Sequence, residues 1–417
     1  MKAKMGLFLY ALVLSSCIAM VAFAFLFTEN GLWELLWQEI PRHLHDARYY
    51  RELLIIIGTC LLLIVKKHWG NVPHNAHSVM GELRQTHTVD YTQAWRNMLA
   101  SLVVLVFGAG VGPEATLVGI VISYSIWEAD KLRWVTKNQA AFQNASFKQK
   151  IIMLCCPYRY LLSGKEENHL QQVVKHKKLF DGLLIVNGVA LFWLMVQLTD
   201  QPSFITKVGA SHWQVHELWL MPLLMAYGWL FGKIYRWLTQ HLQDWLTRFW
   251  QPGLSARVVM AAAVMAFVAW YFPQLLFSGQ HSLHWAVSLG LRESTLMLLG
   301  LAALKLFFLD VCLWGSWTGG NIFPIVFAAL LNGFAIAQLL PANDTTLIVM
   351  LVGISSGISL LGNIWLAGIF MMLFFPTNLW PVAILLMLIW LAGQQISNRF
   401  EKIRQPMKAG GVADDRD

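Results

Sequence analysis

The chain has 417 residues, of which 57% are hydrophobic and only 13% are charged, with a formal net charge of +8. Because a soluble globular domain carries about 25% charged residues, this composition excludes an ordinary water-soluble fold. The five cysteines lack metal-ligand spacing, and the basic residues cluster between apolar runs. We therefore expect small buried cysteines, no metal site and no nucleic-acid partner.

Apolar runs recur from one end of the sequence to the other. Several reach the roughly 20 residues that a spanning helix needs, whereas shorter ones suit re-entrant or tilted half-helices. The 20 tryptophans fit aromatic belts at both membrane interfaces. The pattern predicts an all-α, polytopic membrane protein with apolar runs at 6–27, 53–65, 98–107, 179–198, 218–231, 258–270, 295–314, 322–340, 346–375 and 379–392.

The first apolar run, residues 6–27, has two interpretations. Its start resembles a signal peptide, and Leu14-Ser-Ser-Cys17 resembles a lipoprotein cleavage box. A cleaved signal would be followed by a polar mature start, yet residues 18–27 continue the apolar run. We therefore predict a retained spanning helix.

Lysine and arginine are concentrated near the N-terminus, in the segment 131–178, around 233–257 and in the tail. Because basic loops stay in the cytoplasm, we expect both termini and the 131–178 loop to be cytoplasmic. Residues 1–395 would form one membrane domain, followed by a short basic and polar tail at 396–417. The last twenty residues look disordered.

The stretch Gly108-Ala-Gly-Val-Gly-Pro-Glu114 breaks the apolar sequence and precedes the run Ala115 to Trp127. Its glycines and proline indicate a turn followed by a helix start. Irregular backbone at membrane depth is tolerated only where protein or an aqueous path surrounds it. A helix that begins there points N–H groups and the positive end of its dipole inward, which suits an anion.

A second stretch, Gly319-Gly-Asn-Ile-Phe-Pro324, has the same character and precedes the run Ile325 to Leu340. Two such breaks in corresponding places of a membrane sequence indicate an ion site between inverted halves. We therefore expect both helix starts to meet at one dehydrated position, where a small inorganic anion binds to backbone N–H groups.

The second stretch resembles the signature of the CLC family of chloride channels and proton-coupled anion exchangers. Lys305, Gly315-Ser316 and Gly319 to Pro324 resemble its basic residue, its Ser-Gly region and its Gly-x-Phe-x-Pro element. Gly112-Pro113 resembles the end of the family's Gly-Arg-Glu-Gly-Pro element, and Trp69 to Pro73 resembles, more loosely, its Gly-Ser-Gly-Ile-Pro element. The sequence is most similar to a diverged bacterial branch with a Gly-Pro-Glu pattern.

This resemblance implies a fold of two inverted halves and a homodimer in the lipid bilayer of a bacterial plasma membrane. It implies transport of chloride or another small monovalent anion, without a cofactor. Residues 347–374 and 380–391 would be the last long helices. The implied pore residues are Gly70, Asn71, Val111, Gly112, Pro113, Glu114, Gly320, Asn321, Ile322, Phe323 and Pro324.

Three side chains of that family's pore are replaced here. The gating, proton-carrying glutamate before Gly-Pro is Val111, and the anion-contacting serine falls on Gly70, or on Asn71 if the register slips by one. No tyrosine follows Tyr271, so the anion-contacting tyrosine is missing. Because valine cannot titrate, we expect passive or weakly proton-coupled transport, with the anion held by backbone N–H groups after Gly112 and at 321–323.

Glu114 is the carboxylate at the first helix start, and it has two interpretations. It lies three residues after Val111, about one helical turn along and on nearly the same face. It could therefore act as the gate and proton carrier of an exchanger. Alternatively, with Gly112 as cap and Pro113 at the first helical position, an acid in the first turn stabilises the helix dipole.

Lys305 lies in an apolar run and has two interpretations of equal weight. It either raises the positive potential near the pore or snorkels to the interface. In both cases Asp310 is a candidate for its neutralising neighbour. Two other sets are better interpreted as ordinary loop residues than as a metal cluster or an inner proton-transfer acid: His43, His45 and Asp46, and Glu166-Glu167.

The sequence contains no P-loop, Rossmann, Gly-x-Ser-x-Gly or His-Glu-x-x-His pattern. We therefore expect no enzymatic activity. Because three pore side chains are missing, a CLC-like scaffold that no longer transports and serves as an interaction protein is the remaining alternative.

Overall fold

The computed structural model describes residues 2–44, 47–70, 72–74, 76–86, 88–162, 177–199, 207–249, 251–280 and 283–409. Their regular structure is helical, apart from one isolated bridge described below. The helices are α1 Lys2–Glu34, α2 Ala47–Trp69, α3 Ala76–Thr86, α4 Ala94–Val106, α5 Glu114–Lys137, α6 Gln139–Asn144, α7 Phe147–Cys155, α8 Lys177–Leu198, α9 Met221–Phe249, α10 Leu254–Tyr271, α11 Leu283–Arg292, α12 Thr295–Trp314, α13 Ile322–Ala337, α14 Thr345–Leu361, α15 Ile364–Met372 and α16 Trp380–Ala409.

Five helical stretches in the described part of the chain are long and apolar enough to cross a membrane. They are Met5–Arg42, Lys178–Leu198, Leu254–Tyr271, Thr295–Trp314 and Thr377–Ile396. The apolar helices α13 and α14 are shorter; a helix of 16 residues is about 24 Å long, less than the ~30 Å hydrocarbon core. The prediction of an all-α polytopic membrane protein with full-length and shorter helices is confirmed.

The polar interruptions in the sequence are more helical than their composition indicated. The segment 131–178 was expected as a loop, yet α5 continues to Lys137 and is followed by α6 and α7. The loop prediction is therefore wrong through Cys155, because lysine, glutamine and glutamate are good helix formers even where they face water. Glu166-Glu167 lies outside the described residues.

The last long apolar run is two helices and not one. Gly362 adopts a left-handed conformation (φ +69°) after α14, and the Asn363 side chain caps α15 by accepting the Leu366 N–H. Glycine after a helix and asparagine before the next are the residues that such a break requires. The prediction that residues 347–374 form a long helix is corrected accordingly, and so is the expected disorder of the tail up to Ala409, because α16 extends that far.

The described residues group into two compact units. The first consists of Met1–Ser203, Gly253–Ser278 and Val311–Asn321. In this unit α1 packs against α5 and α8, and α2 packs against α4 and α10. A polar contact joins α1 to α8, where Asn187 Nδ2 donates to the Ser15 hydroxyl at 2.7 Å.

The second unit consists of Phe204–Pro252, Gly279–Asp310 and Ile322–Asp417. Its core is α13 and α14, in which nearly every residue is buried. Helices that are apolar on all sides need protein around them, and α9, α11 and α15 pack against this pair. Inside the core, Asn332 receives the Tyr227 hydroxyl at 2.7 Å and donates to the Ser356 hydroxyl at 3.1 Å.

Two glycines one helical turn apart let α9 approach α14 closely. A Cβ on Gly228 would lie 2.6 Å from the Ser355 Cβ, and a Cβ on Gly232 would lie 2.6 Å from the Ser359 Cβ. The Gly-x-x-x-Gly spacing puts both on one face, as in many packed membrane helices.

Replacing Gly232 by alanine is expected to lower the stability of the protein by about 1–3 kcal/mol, because the new methyl group overlaps Ser359 in a packed interface. The measurement is the thermal unfolding midpoint in detergent. Gly300→Ala on α12 is the matched control, since nothing lies within 4 Å of the added Cβ. Equal midpoints for both variants would contradict the close contact.

Candidate functional site

Two glycine-rich loops of the first unit meet at Gly112 and Gly320. The Gly112 N–H donates to the Gly320 carbonyl at 2.8 Å, and the Gly320 N–H donates to the Gly112 carbonyl at 2.6 Å. This pair forms an isolated antiparallel bridge, and both residues are buried. The structure thus brings together the two breaks that the sequence analysis singled out.

The bridge determines which backbone groups remain for a ligand. The N–H groups of Gly112 and Gly320 are both used in it, so neither serves as an anion donor while the bridge holds. The N–H groups of the first turn of α5 lack intrahelical partners by geometry and point toward the loop that precedes the helix. The dipole of α5 has its positive end there.

The loop before α5 is held by contacts within the same unit. Gly108 has a φ of +94°, a conformation that glycine adopts without steric cost. Its carbonyl accepts the Phe277 N–H at 3.3 Å, and the Gly110 N–H donates to the Cys312 sulfur at 3.3 Å. Cys312 is buried and has a structural role in the loop, whereas Cys60 and Cys155 are exposed and Cys17 and Cys156 are partly exposed. The prediction of buried cysteines is therefore wrong for those four.

Glu114 is the first residue of α5, and Pro113 occupies the N-cap. The N-cap and the first helical residue of α5 thus each lie one residue further along the chain than the predicted Gly112 and Pro113. The Glu114 carboxyl group lies directly against both glycines of the bridge: a Cβ on Gly112 would lie 2.8 Å from its carboxyl carbon, and a Cβ on Gly320 would overlap the same atom. Only glycine at both positions leaves room for the carboxyl group.

Val111 stands where the resemblance places the gating glutamate. Its side chain is 1% exposed. A Cβ on Gly319 would lie 2.5 Å from the Val111 Cγ2 and 3.1 Å from the Gly112 carbonyl oxygen. Val111 therefore packs tightly against the second loop, and its apolar side chain has no proton to transfer.

The second loop ends at Asn321, and α13 begins at Ile322. Asn321 is exposed, whereas Phe323 and Pro324 are buried. Within the second unit, the Phe323 ring packs edge-on against Phe370 at 5.2 Å between centroids. The Phe323 ring therefore contributes to the packing of that unit.

The segment Trp69 to Pro73, which resembles the family's Gly-Ser-Gly-Ile-Pro element only loosely, is less tightly packed at Gly70 than the loop is at Gly112. Gly70 follows α2 with a φ of +78°, and nothing lies within 4 Å of an added Cβ. Its carbonyl accepts the Val72 N–H, and the Lys66 ammonium donates to the Val72 carbonyl at 3.0 Å. The packing that encloses Gly112 is absent at Gly70 itself, and Asn71 lies outside the described residues.

A polar pair that was not predicted from the sequence lies beside the first turn of α5. The Thr116 hydroxyl donates to the Ser101 hydroxyl at 2.8 Å, and both side chains are buried. They border a narrow cavity of about 10 Å³, lined also by Asn97 and Ser123. That volume suits about one water molecule. The spacing of Thr116 and Ser123, seven residues apart on one helical face, was the available sequence signal.

Lys305 and Asp310 have different surroundings from those expected. Lys305 is 0% exposed, so the interpretation that it snorkels to the interface is wrong. Its ammonium lies 5.8 Å from the Phe308 ring centroid and 5.6 Å from that of Phe327. The partner of Asp310 is the Tyr235 hydroxyl, because the offset between Asp310 and Lys305 puts them on different helix faces.

Metal-ligating side chains do not cluster in the described ranges: no group of three or more His, Cys, Asp or Glu could hold a metal ion there. His45 and Asp46 lie outside those ranges.

A family model and a solved structure both relate this chain to chloride-transporting membrane proteins. The family model described as voltage gated chloride channel matches residues 182–398, which include the second glycine-rich loop. No curated protein matches the sequence. The crystal structure of a slow cyanobacterial Cl−/H+ antiporter is similar with a TM-score of 0.57, covering 88% of this chain and 92% of that chain at 12% identity. At this identity the likeness shows a shared fold. Since the family model covers more than half of a chain whose helices have this fold, the chain belongs to the CLC family of voltage-gated chloride channels.

Proposed function

We propose that this protein transports small monovalent anions, chloride first among them, passively or with weak coupling to protons. The observation that carries the proposal is the buried Gly112–Gly320 bridge with the Glu114 carboxyl group against it. Membership of the CLC family and the likeness to a solved Cl−/H+ antiporter support an anion as the cargo.

An anion beside the bridge would exchange its hydration shell for the N–H groups at the start of α5 and the positive end of that helix dipole. Neither is a full positive charge. Binding of this kind is weak enough for the anion to leave again, as conduction requires.

Val111 supports the passive form of this activity. It is buried and cannot be protonated, so a proton carrier at that position is missing. Strict exchange by way of the position before Gly-Pro would need a titratable side chain there.

A proton-coupled exchanger is the second candidate, and the position of Glu114 favours it. The carboxyl group touches both glycines of the bridge, which is where an anion beside α5 would lie. A charged carboxylate would exclude the anion from this position, and a protonated one could give way to it. The same group would thereby couple a proton to each anion.

The deciding experiment is anion flux from proteoliposomes with chloride, fluoride and nitrate, with proton movement recorded at the same time. Chloride flux with little or no proton movement supports the proposal. Proton movement in fixed ratio to chloride, abolished by Glu114→Gln, supports the exchanger instead. The absence of anion flux, together with the absence of anion binding by calorimetry, would contradict the proposal and favour a CLC-like scaffold that does not transport.

The proposal includes a homodimer in a bacterial plasma membrane with both termini in the cytoplasm, as the family resemblance and the basic segments imply. Subunit counting by single-molecule photobleaching in bilayers tests the dimer. Reporter fusions at each terminus test the topology, and an external reporter signal at either end would contradict it.

A further inference from the structure

The first unit contains an apolar groove that the proposed transport pathway does not use. Its volume is about 310 Å³. Val121, Ile185 and Val189 in its walls are exposed, so the groove opens on the protein surface. The groove lies among α1, α5 and α8, and its lining is Ser15, Ile18, Ala19, Ala22, Leu117, Val121, Ser125, Glu128, Leu184, Ile185, Gly188, Val189 and Phe192.

Glu128 supplies a carboxyl group to this groove. The residue is 6% exposed, and its Oε1 atom has no hydrogen-bond partner among the residues that the structure describes. Buried polar atoms almost always have a partner, and a buried carboxylate without one is costly. An orphaned carboxyl oxygen in the wall of a cavity points to a ligand that donates to it.

The charges around Glu128 indicate which ligand would suit. Burial, and after it the negative charge of Asp181 on α8, raises the pKa of Glu128 to about 8, and a bound cation would offset both effects. Lys131, one turn further along α5, donates to two backbone carbonyls beyond α7. Arg133 pairs with Asp130. The basic side chains of this part of α5 are thus engaged elsewhere, and the end of the groove at Glu128 favours a cation.

The remainder of the groove is apolar and the right length for one chain. From Glu128 to Leu117 the groove follows α5 for about 16 Å. A cavity of about 150 Å³ holds benzene, which has six heavy atoms, so the 310 Å³ of the groove hold about twelve. One short alkyl chain fits this volume, whereas the two acyl chains of a phospholipid do not.

From these observations we infer that the groove is a binding site for a single-chain amphiphilic amine. The protonated ammonium donates to Glu128 as a charge-assisted hydrogen bond, and the alkyl chain lies along α5 toward Leu117. A buried carboxyl group in an otherwise apolar groove is the pattern of a small-molecule site.

The test uses a decylamine that carries a photoreactive diazirine, applied to the full chain in phosphatidylcholine nanodiscs. Saturable labelling of peptides from α1, α5 and α8 is expected, with competition by decylammonium at concentrations about tenfold or more below those needed with decanol. Competition by decanol at the same concentrations as decylammonium would show that the carboxyl group plays no part in binding, which would overturn the inference. This comparison requires no variant.

Variants give a second arm. Glu128→Gln is expected to weaken labelling about tenfold or more, and Gly188→Leu is expected to abolish it by filling the groove. Gly182→Leu on the same helix is the matched control, because nothing lies within 4 Å of an added Cβ there. Undiminished labelling in either of the first two variants would overturn the inference. Displacement by phosphatidylethanolamine in the nanodiscs would assign the site to a lipid headgroup and overturn the single-chain assignment.

Discussion

Replacing Glu114 by glutamine is expected to raise chloride flux about tenfold or more at neutral pH. The carboxylate lies against Gly112 and Gly320, where its negative charge excludes an anion. If this repulsion raises the free energy of the bound anion by about 1.4 kcal/mol, its removal increases occupancy of the site tenfold. Chloride efflux from proteoliposomes at fixed protein density measures the effect.

The pH dependence provides an internal check on the same prediction. Glutamine cannot be deprotonated, so any change of flux with pH that passes through Glu114 in the wild-type protein should be absent from Glu114→Gln. Glu82→Gln, which changes a carboxyl group on α3 outside the bridge, should leave both properties as they are. An unchanged flux and an unchanged pH profile in Glu114→Gln would exclude Glu114 as the gate.

Replacing Gly320 by alanine is expected to displace the Glu114 carboxyl group and so to raise flux as the glutamine variant does. The nearest atoms to the added methyl group all belong to Glu114, and the far end of a flexible side chain can move at low cost. In a Glu114→Ala background the same change should have little further effect, because the group with which it collides is gone. This double-mutant cycle measures the coupling between the two positions.

Gly319→Ala is the informative contrast. Its methyl group would collide with the β-branched Val111 and approach the Gly112 carbonyl oxygen at 3.1 Å. Valine is stiff and the backbone is fixed by the bridge, so this variant should lose stability and flux together, in either background. Equal behaviour of Gly319→Ala and Gly320→Ala would contradict the proposed mobility of Glu114.

The amine groove and the bridge share one helix. Leu117, at the apolar end of the groove, is the residue one turn after Glu114 on α5. The two sites nevertheless depend on different carboxyl groups, Glu128 and Glu114. Their variants therefore separate ligand binding from anion flux.

The apolar runs determined most of the helical architecture. Runs of about 20 residues became helices such as α8 and α12, because in a membrane every backbone polar group must be bonded within its own segment. Polarity was a poor guide to where helices stop: α5 continues to Lys137 and α9 to Phe249, well past the ends of the apolar runs 115–127 and 218–231, since a helix can continue into polar sequence after its apolar run has ended.

The order of residues is enough to predict that two glycine-rich breaks precede helices in a membrane protein, and that Val111 cannot carry a proton. Only the tertiary structure shows that Gly112 and Gly320 share two hydrogen bonds and that the Glu114 carboxyl group lies against both glycines. The two glycines are more than 200 positions apart in the sequence and meet only through packing. Glu128 is a similar case. In the sequence it is one acid in a charged segment, and only the folding of α1 and α8 against α5 buries it and leaves one of its oxygens without a partner.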